Sequence, residues 1–337
     1  MKKRKVAIIG CGAIFNRHAD SINSSDEFEL VAVCDTQKEI ADSKARKQKC
    51  ESYYTLEDCI EKSSANFYVL ATPNSLHYPQ AKKCIQAGKD ILVEKPVTLS
   101  IDEVDEIIDL ANKSGVKAYG VLQVRLNNSV RAIKHCLEKD LLGKIRGVSL
   151  IQRWQRPVEY FSGWRSIPKI GGGTLHEVGI HYIDILQHLM GRPNILFAKE
   201  YNTKHMGSEI EDTMYAVFDY GDFGGNLEVT ISAEPHNLEC SISILGSNGY
   251  IKLGGKALNI IESYNFLSHG AKTQFENILE SYENVTYIPP NNYGSYLGSC
   301  PNHMGVYKNL ELFKIENTRD ALMMIEQIYE KCGREYR

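Results

Sequence analysis

The β-rich run Lys5-Val6-Ala7-Ile8-Ile9 passes straight into Gly10-Cys11-Gly12-Ala13-Ile14-Phe15, and a helical pattern follows. A strand that turns on glycines into a helix leaves few folds open. The glycines let the backbone approach a pyrophosphate, whose charge sits at the helix N-terminus. Asp35 stands 25 residues beyond Gly10, at the end of the next β-rich run, where a carboxylate accepts hydrogen bonds from ribose hydroxyls. Gly10, Gly12, Ala13, Ile14 and Asp35 are therefore candidate dinucleotide ligands. A carboxylate at that point repels a 2′-phosphate, which favours NAD, while Thr36 and Lys38 leave NADP open. Phe15 occupies the third glycine position of the pattern, a departure that must alter how a helix at 13–24 packs on the sheet. The plain alternative is a tight glycine turn with no ligand.

Further β-rich runs at 29–35, 67–72, 90–95 and 117–123 alternate with amphipathic stretches such as 76–88 and 100–114. The second of these starts on a capping box, Ser100 with Glu103, and stops at Gly115. Apolar strands alternating with helices imply a doubly wound parallel sheet covered on both faces. After about residue 123 the rhythm changes. A helix at 128–140 precedes β-rich runs at 145–154, 194–201, 213–220, 226–234, 240–246 and 250–255, several of them alternating apolar and polar residues. That alternation predicts an antiparallel sheet with one solvated face. A strongly apolar helix at about 174–190 interrupts the strands, and helical stretches near 303–315 and 318–332 close the chain. The predicted domains are 1–122 and 123–337, in keeping with a length of 337 residues.

Charge and cysteine usage narrow the function classes. Lys and Arg total 39 against 42 Asp and Glu, so no basic field exists to hold nucleic acid or an anionic membrane. The basic start Met1–Lys5 resembles a signal-peptide n-region, but glycines and charge break the stretch after it. No apolar run reaches the roughly 18–20 residues that span a bilayer. The nine cysteines form no CxxC pair, so neither a disulfide framework nor a metal site is expected, and a reducing cytoplasm fits.

Three regions carry candidate chemistry, the first of them a pair of loops. Ala71-Thr72-Pro73-Asn74-Ser75-Leu76-His77 and Glu94-Lys95-Pro96 follow strands of the parallel sheet, where such folds bind ligands. A lysine there beside a cationic nicotinamide is expected to have a lowered pKa and to exchange a proton near neutrality, with Lys95–Pro96 a cis peptide. The bland reading of Lys95 is a side chain snorkelling from a strand end. In the helix at 174–190, Glu177, His181, Asp184 and His188 fall within roughly a 60° arc, and the rest is mostly apolar. A narrow polar stripe on a buried helix must face partners or a site. Third, Gln152–Arg165 gathers both tryptophans of the chain with Arg153, Arg156 and Arg165. Aromatics stack on sugars and arginine pairs with carboxylate or phosphate, so this block points to an anionic substrate. Its alternative is a strand with exposed arginines and a Trp-anchored loop.

Taken in order, GCGAIxxxH (Gly10 to His18), Asp35, ATPNxxH (Ala71 to His77), EKP (Glu94 to Pro96), Trp164-Arg165, Gly171–Leu175 and Glu177–Asp184 resemble the Gfo/Idh/MocA family. That family is named for glucose–fructose oxidoreductase and inositol dehydrogenase, and the resemblance runs to about residue 330. It implies an α/β Rossmann domain followed by an α+β domain with a large open, mainly antiparallel sheet. It also implies NAD(P)-dependent hydride transfer at a sugar or cyclitol carbinol, and a homodimer or homotetramer joined through that sheet. Carried over by position, Lys95 is the EKP lysine and His181 the catalytic histidine. Glu177 stands where many members carry Asp. The cofactor set extends to Thr72, Pro73, Asn74, His77, Glu94, Lys95 and Gln123. The substrate set is Lys95, Arg153, Arg156, Tyr160, Trp164, Arg165, Glu177, His181, Asn302 and His303.

Gln123-Val124-Arg125, the Trp/Arg block and the YGxYxGSxxNH stretch from Tyr293 to His303 further resemble the UDP-N-acetylglucosaminuronate 3-dehydrogenases of bacterial surface-polysaccharide pathways. An inositol or simple sugar dehydrogenase is the nearest rival. An NAD-dependent glycoside hydrolase and a non-catalytic NAD-binding protein are the readings of another class.

Overall fold

The computed structural model describes residues 3–282 and 289–334, so Met1 and Lys2 of the basic start lie outside the described residues. The chain divides into two compact units, Met1–Leu122 with His303–Arg319, and Gln123–Asn302 with Asp320–Arg337.

The first unit is built on β1 (Arg4–Ile9), β2 (Phe28–Cys34), β3 (Glu51–Tyr53), β4 (Phe67–Leu70), β5 (Asp90–Val93) and β6 (Ala118–Gly120). All pairings are parallel, in the order β3-β2-β1-β4-β5-β6. Helices α1 (Phe15–Asn23), α2 (Lys38–Gln48), α3 (Leu56–Lys62), α4 (Asn74–Gln86) and α5 (Ile101–Ser114) connect the strands. Residues 6–9 and 67–70 are buried throughout, as strands covered on both faces must be. The strand order reverses between β1 and β4, which opens a crevice at their carboxyl ends, beside Gly10 and Ala71. Ser100 caps α5 by accepting from the Glu103 N–H, and the Glu103 carboxylate accepts from the Leu99 N–H.

The second unit contains α6 (Asn128–Glu138), β7 (Ile145–Arg153), α7 (Pro168–Gly171), α8 (Ile180–Met190), β8 (Asn194–Tyr201), β9 (Thr213–Asp219), β10 (Gly224–Thr230), β11 (Glu239–Gly246), β12 (Gly249–Gly254), β13 (Ile260–Phe266) and α9 (His269–Glu280). Its strands run in the order β13-β12-β11-β7-β10-β9-β8, antiparallel except for β7 with β10. One face is apolar and buried, through Val148, Leu150, Leu227, Val229, Met214, Ile242 and Ile244, and it carries the α8 segment. The other face exposes Phe197, Tyr201, Tyr215, Val217, Leu245 and Tyr250, each more than 40% accessible.

Three features depart from the sequence reading. Strands β3 and β13 and helix α9 carry too weak a pattern to be read. The helix expected over 174–190 starts as a π turn, Leu175–Gly179, and only Ile180–Met190 is α-helical. Finally, the predicted domain 123–337 is interrupted. Residues 303–319 belong to the first unit, where α10 (His303–Lys308) packs on α1 and Tyr307 meets the Phe28 ring at 5.2 Å. Lys314 bridges Tyr119 there, and Val306, Tyr307, Phe313 and Ile315 are buried. The final helix, α11 (Arg319–Lys331), begins at the end of this segment. All nine cysteines are thiols, and among the described residues no helix is long and apolar enough to cross a membrane.

Arg125 forks onto Asp184 of α8, with Nε donating to Oδ2 at 2.8 Å and Nη2 to Oδ1 at 2.6 Å. Asp184 is 1% accessible, so removing its charge strands a guanidinium away from water. Asp184→Asn is expected to cost about 3 kcal/mol or more, read as an earlier urea midpoint; an unchanged midpoint contradicts the pairing. One turn further along α8, burial first and then Arg125 and Lys134 push His188 down from 6.5 to about 4. The fold therefore holds His188 neutral where the unfolded chain takes a proton. Its contribution is complete above pH 6.5 and is lost as pH falls toward 4. Urea midpoints at pH 7, 6 and 5 should fall with pH, and less steeply in His188→Gln; equal slopes contradict this.

Candidate functional site

The glycine turn after β1 has the form a dinucleotide needs. Gly10 has φ +98°, and a Cβ there would lie 2.4 Å from the Ala71 carbonyl oxygen, so only glycine fits. A Cβ at Gly12 would meet nothing within 4 Å, which leaves its backbone approachable. Asp35 accepts from the Cys11 N–H through Oδ2 and the Gln37 N–H through Oδ1, both at 2.9 Å, and so holds the turn. No side chain caps α1, and after the turn formed by Ala13 and Ile14 its first N–H groups close on backbone, Phe15 donating to the Gly12 carbonyl at 3.2 Å and Arg17 to that of Ile14 at 3.0 Å. Open backbone, an uncapped helix and an adjoining carboxylate fit a pyrophosphate and ribose. Phe15 is wholly buried, with the Lys44 ammonium 4.9 Å from its ring centre, which is how α1 accommodates a bulky residue at a glycine position.

The loops after β4 and β5 are stapled together by His77. This ring is 0% accessible, and its nitrogens lie 2.7 Å from the Pro96 carbonyl oxygen and 2.9 Å from that of Thr72. Read from sequence as a cofactor ligand, His77 has no surface to offer one; it ties backbone. Thr72 donates through Oγ1 to Gln80, Pro73 precedes α4, and Asn74 is 4% accessible in its first turn.

Lys95 sits on a second fastening. Oε1 of Glu94 lies 2.9 Å from His18 Nε2 and 3.1 Å from His303 Nε2, and Oε2 accepts from the Lys95 N–H at 3.1 Å. His18 in turn meets the Tyr307 hydroxyl at 2.9 Å. Burial alone would raise the Glu94 carboxyl, but the bonds from His18 and His303 outweigh it and hold the group well below the usual carboxylate range. Burial pushes His18 the other way, below its ordinary value. The result is a carboxylate bonded by two imidazoles, which fixes the peptide that carries Lys95. The Lys95–Pro96 bond is cis, as expected. His303, predicted to touch substrate, is buried at 2% accessibility in this cluster.

In the second unit the π turn and α8 present the polar stripe, in which Glu177, His181 and Asp184 each meet a partner. Glu177 accepts from Arg165 Nε at 2.7 Å, with the Tyr160 hydroxyl 3.5 Å away. Arg165 also lies over the Trp164 ring at 4.4 Å. His181 Nε2 lies 3.3 Å from Ser299 Oγ, which accepts from Gln123 Nε2 at 3.3 Å. A hydroxyl can donate to a neutral imidazole and accept from a protonated one, so Ser299 serves His181 in either state. Gln123, expected at the cofactor, is 3% accessible and spends its amide N–H here. Asn302 donates to Asn127 at 2.7 Å.

The arginine block divides. Arg153 ends β7 on the exposed face, where it forks onto Glu228 at 2.6 and 2.7 Å and reaches Glu239 at 2.9 Å. Strand alternation turns it away from α8, so its predicted place among the substrate ligands is corrected. Arg156 points the other way, is 2% accessible, and lies between the rings of Trp154 and Tyr296. Sequence reasoning missed Ser299, Asn237, Tyr296 and Tyr307. All but Asn237 fall within or next to the Tyr293–His303 stretch, whose Gly, Asn and Ser density was the available signal.

Comparison with known proteins places these features in a family. Residues 4–122 match the oxidoreductase family, NAD-binding Rossmann fold model of GFO/IDH/MocA, and residues 130–252 match the GFO/IDH/MocA C-terminal domain. The chain resembles scyllo-inositol 2-dehydrogenase (NADP(+)) IolW of Bacillus subtilis, at 27% identity over 66% of this chain. That match spans 63% of the IolW sequence, under two thirds of its length. Among solved structures it resembles the WlbA dehydrogenase of Bordetella pertussis, in complex with NADH and UDP-GlcNAcA. That likeness has a TM-score of 0.88 and 27% identity, covering 98% of this chain and 96% of that one. The Chromobacterium violaceum WlbA complex with the same ligands gives 0.87 and 25%, covering 99% and 94%. With both of its domains matched in order, the chain belongs to the Gfo/Idh/MocA family of NAD-binding oxidoreductases.

Proposed function

We propose that the chain is an NAD-dependent dehydrogenase that oxidises the C3 hydroxyl of UDP-N-acetyl-glucosaminuronic acid to a ketone, for bacterial surface-polysaccharide synthesis. The observation that carries this reading is the likeness to the Bordetella pertussis WlbA complex over 98% of the chain at a TM-score of 0.88. Local charge supports it. Tyr160 meets the guanidiniums of Arg156 and Arg165 and the carboxylate of Glu177, a balance suited to an acidic sugar.

Gly10, Gly12 and Asp35 would hold NAD, which when bound would supply the hydride acceptor. Lys95 and His181 handle the hydroxyl: one takes its proton, and the other donates a hydrogen bond to the oxygen as it becomes a carbonyl. Ser299 keeps the His181 ring oriented through that change of protonation. Glu94, braced by His18 and His303, keeps the Lys95 backbone in place. Glu177, with Arg165 already bonded to it, orients a substrate hydroxyl. The exposed sheet face packs against a second copy of the chain. The proposed compartment is the cytoplasm, whose reducing conditions suit nine thiols.

The likeness to IolW favours a cyclitol or simple sugar as the second reading. A panel of UDP-uronates, neutral UDP-sugars and inositols, offered with NAD⁺ and with a 2-oxoacid to re-oxidise retained NADH, separates the two. NADH or reduced oxoacid is expected with UDP-N-acetyl-glucosaminuronic acid; turnover of inositol alone overturns the proposal. Lys95→Met should lower turnover by roughly 100- to 10,000-fold while leaving NADH affinity nearly unchanged, and normal turnover removes Lys95 from the chemistry. Sedimentation should give a dimer or tetramer that Phe197→Lys with Val217→Lys dissociates. A monomeric wild-type protein contradicts the sheet-face assignment.

A further inference from the structure

We propose that Arg156 reads the negative charge of the substrate and sets the preference for an acidic over a neutral sugar, an inference that rests on the sugar-dehydrogenase reading above. Of three arginines in one short block, two already have carboxylates. Arg153 is bonded to Glu228 and Glu239 on the far face of the sheet, and Arg165 is bonded to Glu177. Arg156 pairs with no carboxylate among the described residues, although it is 2% accessible. Its Nη1 donates to the Gln155 carbonyl at 2.7 Å and approaches Asn237 Oδ1 at 3.5 Å, while Nε has no hydrogen-bond partner among the described residues. A guanidinium is always charged, and a buried charge without a counter-ion is strongly disfavoured unless something supplies the missing anion.

The surroundings hold the group rather than neutralise it. Trp154, Tyr296 and Tyr160 have ring centres 4.6, 4.5 and 5.4 Å from the guanidinium carbon. Aromatic faces offset part of the cost of a buried cation but leave its in-plane N–H donors available. Asn237 links this clamp to the loop above it, accepting from the Gln155 N–H at 2.9 Å and donating to the Leu297 carbonyl at 3.1 Å. The position also indicates which anion is read. Tyr160 touches both Arg156 and Glu177, and Glu177 stands one helical turn before His181. An anion at Arg156 is thus carried by the ring undergoing oxidation, which is the place of a uronate carboxylate rather than of a diphosphate remote from it.

The test compares matched acidic and neutral substrates. In the wild-type protein kcat/KM should favour UDP-N-acetyl-glucosaminuronic acid over UDP-N-acetylglucosamine. Arg156→Gln should shrink that ratio by roughly 100-fold, mainly through KM for the acid. Arg156→Lys should retain part of it, and Arg153→Gln should leave it unchanged. A ratio in Arg156→Gln within threefold of the wild type overturns the proposal, as does an equal loss on both nucleotides, which would assign Arg156 to the diphosphate. Should Arg156→Gln fail to fold, thermal midpoints of the wild-type protein decide. The acid must raise the midpoint more than the neutral nucleotide, and equal shifts overturn the proposal. If neither nucleotide reacts, the substrate reading fails, and Arg156 is judged on glucuronate against glucose, where the same preference and its loss are required.

Discussion

One buried carboxylate holds the part of the first unit on which the proposed chemistry rests. Glu94 gives one oxygen to His18 and His303 and the other to the backbone N–H of Lys95. A charge so placed persists only because its lone pairs are satisfied, and each bond ties a different element to the same peptide. His18 comes from α1, directly beyond the glycine turn, and His303 from the returning segment 303–319. The same carboxylate therefore joins the dinucleotide turn, the Lys95 loop and the C-terminal return. Loss of its charge would loosen all three together. His77 repeats the principle with backbone carbonyls, fastening Thr72 to Pro96.

The second unit obeys the same rule with a different outcome. Its polar stripe lies on an otherwise apolar helix, and partners come from distant parts of the chain: Arg165 for Glu177, Ser299 for His181, Arg125 for Asp184. Of the three arginines in its block, Arg156, the most buried, pairs with no carboxylate among the described residues. With acidic and basic residues nearly balanced overall, 42 against 39, selection of an acidic ligand has to come from such a local surplus.

Much of this was legible in the sequence because it is local. The strand–glycine–helix start, the capping box at Ser100 and Glu103, and the arc formed by Glu177, His181, Asp184 and His188 are each written within a short continuous stretch of chain. Arg153 was misassigned because its partners Glu228 and Glu239 lie 75 and 86 positions away. Pairing at that distance depends on strand register, which no local pattern expresses. Strand β3 escaped for a simpler reason, since three residues hold too little periodicity to read. The return of 303–319 to the first unit was hidden too, because Tyr307 and Phe313 look equally apolar whichever core they enter. Motif resemblance found His18, His77 and Glu94 but not their roles, which follow from burial and hydrogen bonding alone.

The central claim is hydride removal from C3 of an acidic sugar nucleotide by residues that include Lys95 and His181. The most direct measurement uses UDP-N-acetyl-glucosaminuronic acid deuterated at C3, with NAD⁺ and a single turnover of enzyme. One deuterium should appear on the nicotinamide C4 of the reduced cofactor for each ketone formed, and none in the solvent. Unlabelled reduced cofactor, or a product that keeps its C3 deuterium, would contradict the account.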